Sequence, residues 1–104
     1  MILLKNVHKA ISLKDKIFGL IGQTKITPTL FQTRFGIHTF FMKVPIDVIV
    51  LNKKNEVVKL KQNLKPWRLF FWNPQYNRVV EMAKGSIESE KITISNPIEL
   101  ECVN

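Results

Sequence analysis

Apolar positions come in short blocks separated by polar punctuation. Ile46 to Leu51 is an apolar run rich in β-branched residues and interrupted only by Asp47, and Val57 to Leu60 is a second, interrupted by Lys59. Asn52-Lys53-Lys54-Asn55 lies between them, and an asparagine that tolerates the left-handed conformation closes such a turn with a bulge, so the spacing predicts a hairpin. Met1 to Lys5, Thr29 to Phe31 and Arg78 to Met82 read as further short strands. Ile98, Leu100 and Cys102 alternate with Glu99 and Glu101, the period of a half-buried final strand. One segment has a helical period instead. Leu13, Ile17, Leu20 and Ile21 share a face, Ser12 stands where a cap is needed with Asp15 three residues later, and Gly22 ends the pattern. Ala83 to Glu90 has room for one or two helical turns at most. The elements predict a mainly β domain (α+β with little helix). Its form would be a small barrel or sandwich of short, mostly antiparallel strands with one N-terminal helix, a single domain over residues 1–104.

Two stretches carry polar and aromatic groups beyond what a plain core needs. In Gly36 to Asp47, strand alternation places His38, Phe40 and Met42 on one face and Ile37, Thr39 and Phe41 on the other. In Leu64 to Arg78, Pro66 ends a strand and basic and aromatic residues interleave: Lys65, Trp67, Arg68, Phe70, Phe71, Trp72, Tyr76. This reads as a long aromatic loop reaching about Asn77. Trp67, Phe70 and Trp72 are expected to fold back over one end of the barrel, unless some stay exposed together as a partner site.

Composition narrows the class. At 104 residues and 45% hydrophobic content the chain can bury a core without metal or disulfide help. Cys102 is the only cysteine, which fits a reducing compartment or a fold that needs no disulfide. No apolar run approaches the roughly 20 residues of a transmembrane span. Lys5 follows Met1-Ile2-Leu3-Leu4 at once, unlike a signal peptide, so a cytoplasmic location is expected. The net charge of +8 is uneven: residues 1–80 hold 14 Lys/Arg against three Asp/Glu, and residues 81–104 hold two against five. A basic body of this kind attracts phosphate-bearing or otherwise anionic partners, although Lys-rich solvated surfaces have the same composition.

Several motifs in one order resemble a bacterial and archaeal family known as domain of unknown function 192. They are Phe18-Gly19-Leu20-Ile21-Gly22, Ile37-His38-Thr39-Phe40 with Met42, and Pro45-Ile46-Asp47-Val48, followed by Leu64-Lys65-Pro66-Trp67-Arg68 and Val80-Glu81-Met82-Ala83-Lys84-Gly85. The resemblance covers about residues 16–100 and implies a compact, mostly β, barrel-like domain with no established activity. The chain departs from the family pattern at Ala83-Lys84-Gly85, where Pro-Ala-Gly is usual, and at Ser95-Asn96, where Gly-Asp is usual. Asn suits a turn at the second place.

Candidate chemistry centres on a few side chains. His38 with Asp47 has the composition of an acid/base pair, but no Ser, Cys or Lys nucleophile has an evident partner, and both residues equally suit buried polar anchors. His38 and Met42 are soft-metal ligand types, yet four residues of strand separate them by roughly 13 Å. No metal and no cofactor is therefore expected. Glu81 is expected to pair with Arg78 or Arg68. The sharper expectation is one polar pocket at a barrel mouth. It would be lined by His38, Asp47, Arg68 and Glu81, with Thr39 and Trp67 beside them, and would take a small polar or anionic ligand or a protein partner. An acid/base enzyme using His38 and Asp47 is the alternative. Weak nucleic-acid binding through the basic body and aromatic loop is a third.

Overall fold

The computed structural model describes residues 2–9, 26–34 and 36–103. The helix expected from Ser12 to Gly22 lies outside them, as does the motif Phe18 to Gly22. Among the described residues the elements are β1 (Ile2–Lys9), β2 (Thr29–Gln32), β3 (Gly36–His38), β4 (Ile46–Leu51), β5 (Val57–Leu64), β6 (Leu69–Phe71), β7 (Arg78–Ala83), α1 (Ser86–Ser89) and β8 (Ile98–Cys102). Six strands form one sheet in the order β5-β4-β7-β2-β1-β8, and β3 and β6 form a separate two-stranded ribbon. Both pairings of β1 are parallel, and the other four strand pairs are antiparallel.

The sheet curls. A bridge between Glu56 and Pro97 ties the start of β5 to the start of β8, the two ends of the strand order. Backbone bonds from Ile98 N–H to Asn55 O at 2.8 Å and from Val57 N–H to Asn96 O at 3.0 Å reinforce it. The result is a half-barrel. Its inner face collects Leu4, Val7, Leu30, Ile49, Val80 and Ile98 from five strands, plugged by Ile87 of α1. The outer face carries Phe31, Ile46, Val48, Val50 and Val79, and the ribbon covers it with Ile37, Phe70 and, just beyond β6, Trp72. Being covered on both faces explains why every residue of β4 is buried and why its sequence runs apolar without alternation.

Asparagines set the irregularities. Leu4 and Val7 are three apart yet face one core, because β1 bulges between them and Asn6 takes a φ of 58°. The β4–β5 turn has Asn55 at φ 60°, and Asn52 Oδ1 accepts the N–H groups of Lys54 and Glu56, both at 2.9 Å. A second bulge sets Gln62 and Asn63 together opposite Asp47, with Asn63 at φ 53°. Ser95 rather than Asn96 takes the left-handed place in the last turn, at φ 74°. Asn96 instead accepts from the Thr93 N–H with its side chain at 2.8 Å.

The Gly36–Asp47 stretch is not one continuous strand. β3 stops at His38, and the backbone turns through Phe40 and Phe41 before β4 begins. The expected loop from Leu64 to Asn77 likewise contains a strand, β6, because it pairs with β3 in the register Gly36–Phe71, Ile37–Phe70 and His38–Leu69.

Candidate functional site

The buried Thr39 organises one corner of the molecule. Its hydroxyl donates to the Lys65 carbonyl at 2.6 Å and accepts the Arg68 N–H at 2.9 Å. Its own N–H donates to the Arg68 carbonyl, and its carbonyl accepts the Trp67 N–H, each at 3.0 Å. Four bonds therefore pin the Lys65–Arg68 turn against the end of β3. Trp67 sits at the crest of that turn with φ 64°, and Phe41 on the facing turn has φ 67°. Left-handed backbone is uncommon for any residue with a Cβ and an outlier for a bulky one. Both rings nevertheless lie mostly in solvent, 61% exposed for Phe41 and 56% for Trp67, and they meet edge to face at 4.7 Å.

From this pair an apolar stripe runs along the outer surface of the ribbon. Trp67 stacks on Phe40 at 5.7 Å, and Phe40 stacks on the His38 ring at 4.8 Å. His38 Nδ1 also accepts the Phe40 N–H at 3.3 Å. Cross-strand partners share a face, so His38 lies beside Leu69 and Gly36 beside Phe71. Leu69 and Phe71 are both more than half exposed. A Cβ on Gly36 would stand 2.7 Å from the Phe71 ring, so glycine is what lets that ring lie across the ribbon. Cations frame the stripe. Lys43 and Lys65 are exposed near its aromatic end, and the exposed Arg68 reaches the carbonyls of Pro66 and Trp67 at 3.5 Å. Lys59 donates to the Phe71 carbonyl at 2.5 Å with its ammonium 5.0 Å from the Phe70 ring centre.

The residues singled out in the sequence thus divide. His38, Thr39, Trp67 and Arg68 come together in this corner. Asp47 and Glu81 do not meet each other, because they lie on opposite faces of the sheet. Asp47 pairs in register with Met82 and faces the inner core, whereas Glu81 pairs with Val48 and Thr29 and is buried on the outer face of the sheet. One shared polar pocket is therefore not formed. Both carboxylate oxygens of Asp47 are occupied by backbone, Oδ1 by the Asn63 N–H and Oδ2 by the Ile87 N–H, each at 2.9 Å. The carboxylate ties the bulge in β5 to the start of α1, and the thickness of the sheet separates it from His38. Arg78 projects to the opposite face from Glu81, three residues along the same strand, and its Nε donates to Asn55 Oδ1 at 3.0 Å. Of the three expected end-closing aromatics, Phe70 and Trp72 are buried and Trp67 is not. Trp72 Nε1 donates to the Tyr76 carbonyl at 2.9 Å.

Comparison with known proteins fixes the lineage. Residues 5–100 match the family described as uncharacterized ACR, domain of unknown function 192. The chain belongs to this family. Among curated members it is 34% identical over 74 residues to UPF0127 protein PF1050 of Pyrococcus furiosus, covering 71% of this chain and 63% of that protein. It is equally similar to a UPF0127 protein of Thermococcus sibiricus over 76 residues, 73% of this chain and 49% of the relative. The chain therefore spans less than two thirds of the length of these relatives. Two solved structures share the fold. One is a proposed transcription regulator from Sinorhizobium meliloti, with TM-score 0.76, 13% identity, and 86% of this chain and 76% of the other covered. The other is a protein of unknown function from Novosphingobium aromaticivorans, with TM-score 0.71, 14% identity, and 86% and 69% covered. At these identities the likeness concerns the fold alone.

In this family member the residues missing from the sequence-derived site are Phe40, Phe41, Leu69 and Phe71. Strand alternation put Phe41 on a face with Ile37 and Thr39, which are buried, and the left-handed turn reverses it. A signal for the others was present. Leu69 and Phe71 alternate with Phe70 and Trp72, so the strand is apolar on both faces although only one of them has a core to meet.

Proposed function

We propose that this domain is a binding module whose contact surface is the outer face of the β3–β6 ribbon and whose partner is anionic. His38, Trp67 and Arg68 contribute directly, Thr39 holds the corner in place, and Asp47 and Glu81 belong to the supporting frame. The observation that carries the proposal is the Phe41–Trp67 pair, two exposed aromatic rings held on left-handed backbone. Each such residue costs of order 1–3 kcal/mol and persists where the surroundings over-determine it, which is characteristic of contact sites. Neither ring fills the core, so core packing does not account for them. The cations around the stripe and the net charge of +8 set the sign of the partner.

Trp67 reports on the test. A Trp72→Phe background leaves Trp67 as the only indole, and the protein is titrated at low ionic strength with polyglutamate, inorganic polyphosphate and anionic lipid vesicles. A salt-sensitive shift of Trp67 emission to shorter wavelength with at least one of them is expected. Unchanged emission with all three would overturn the proposal.

A further inference from the structure

Resting on that reading, we infer that the partner is the surface of an anionic lipid bilayer, into which the Phe41, Trp67, Leu69 and Phe71 side chains insert. Four neighbouring large side chains between 56% and 61% exposed project from the surface; a cleft for a small ligand would bury its lining. Projection suits a partner that is itself soft and apolar a short way beneath a charged layer, which describes the headgroup boundary of a membrane. The chemistry matches layer by layer. Trp is at home at the headgroup level, and Phe and Leu reach the acyl boundary. Lys43, Lys65 and Arg68 have stems long enough to lie along the apolar stripe while their charges meet lipid phosphates. The acidic end of the chain lies elsewhere, with Glu99 and Glu101 exposed on β8, an edge strand of the sheet. Attraction to an anionic surface would therefore turn the ribbon toward it. Docking of this kind is peripheral, and among the described residues no helix is long and apolar enough to cross a membrane.

The test uses the intact chain and vesicles of two compositions, phosphatidylcholine alone and phosphatidylcholine with phosphatidylglycerol at two parts to one. Co-sedimentation is expected with the anionic vesicles only, falling as salt is raised through the range where the Debye length drops below about 10 Å. The double variant Phe41→Gly, Trp67→Gly keeps a backbone suited to both turns and is expected to lose roughly a hundredfold in partitioning, about tenfold per ring. Lys65→Glu with Arg68→Glu reverses two exposed charges while leaving the Thr39 bonds to the backbone of the turn in place, and is expected to lose at least about 25-fold. Absence of sedimentation with anionic vesicles would overturn the inference, as would sedimentation that neither variant reduces. If polyglutamate or polyphosphate shifts Trp67 while vesicles neither shift nor retain the protein, the bilayer inference fails and the binding reading stands. If nothing shifts Trp67, both fail.

Discussion

Replacing Phe41 by glycine and by alanine separates backbone strain from ring contact. With φ at 67°, any side chain bearing a Cβ pays roughly 1–2 kcal/mol against the left-handed conformation, and glycine does not. Glycine instead loses about 0.5–1 kcal/mol relative to alanine through the greater freedom of its unfolded chain. The difference leaves Phe41→Gly more stable than Phe41→Ala by about 0.75 kcal/mol. Both variants forfeit the ring. Full burial of Phe is worth about 1.5–3 kcal/mol, and Phe41 is 61% exposed, so the loss is about 0.6–1.2 kcal/mol. Phe41→Gly should therefore fall close to the parent, with Phe41→Ala clearly below it. Phe71 is the control. It is 58% exposed and lies in an ordinary strand conformation, so there alanine should be the more stable of the two. Equilibrium urea unfolding followed by the buried Trp72 gives the free energies, and thermal melts should separate the Phe41 pair by roughly 3–6 °C. If Phe41→Ala is at least as stable as Phe41→Gly, the turn does not hold its aromatic residue against a backbone penalty, and the reasoning from strain to contact is wrong.

Three further substitutions probe the frame. Asp47→Ala leaves the part-buried N–H of Asn63 and the buried N–H of Ile87 without their acceptor, an expected loss of about 2–4 kcal/mol and a melting temperature lower by roughly 10 °C or more; a drop of only a few degrees would mean the carboxylate is not the tie between β5 and α1. Thr39→Val removes the hydroxyl that holds Lys65 and Arg68, with an expected loss of about 2 kcal/mol and increased acrylamide quenching of Trp67 as its turn loosens, so quenching identical to the parent would contradict the pinning role. Gly36→Ala drives a Cβ to within 2.5 Å of the Phe70 carbonyl oxygen and 2.7 Å of the Phe71 ring, and destabilisation by about 1–3 kcal/mol is expected in the same unfolding assay.

The half-barrel was readable where local chemistry and burial agree. The β4–β5 hairpin announces itself through two β-branched runs and an asparagine that takes the left-handed place, and Asn55 does so at φ 60°. The short α1 follows from Gly85, at φ 90°, and from the brevity of the apolar pattern after it. Asp47 was recognisable as a polar group among core residues, but not its partners, which come from a bulge 16 residues away and a helix start 40 residues away. The proposed contact corner was half legible. His38, Thr39, Trp67 and Arg68 stand in two motifs that a strand pairing brings together, and that pairing depends on β6, hidden within an apparent loop. Alternation places Phe41 with Ile37 and Thr39, and alternation ends where Thr39 turns its hydroxyl to Lys65 and the chain leaves β3. A period-two pattern cannot register such an exit, because it is fixed by a contact 26 residues along the chain.

At 12.1 kDa the protein is well suited to backbone amide shift mapping by nuclear magnetic resonance during titration with anionic bilayer discs at low salt. Perturbations concentrated in Gly36–Phe41 and Lys65–Phe71, absent with neutral discs and suppressed by salt, are expected if the ribbon face is the contact surface. Perturbations centred on β8, spread evenly over the sheet or missing altogether would contradict it.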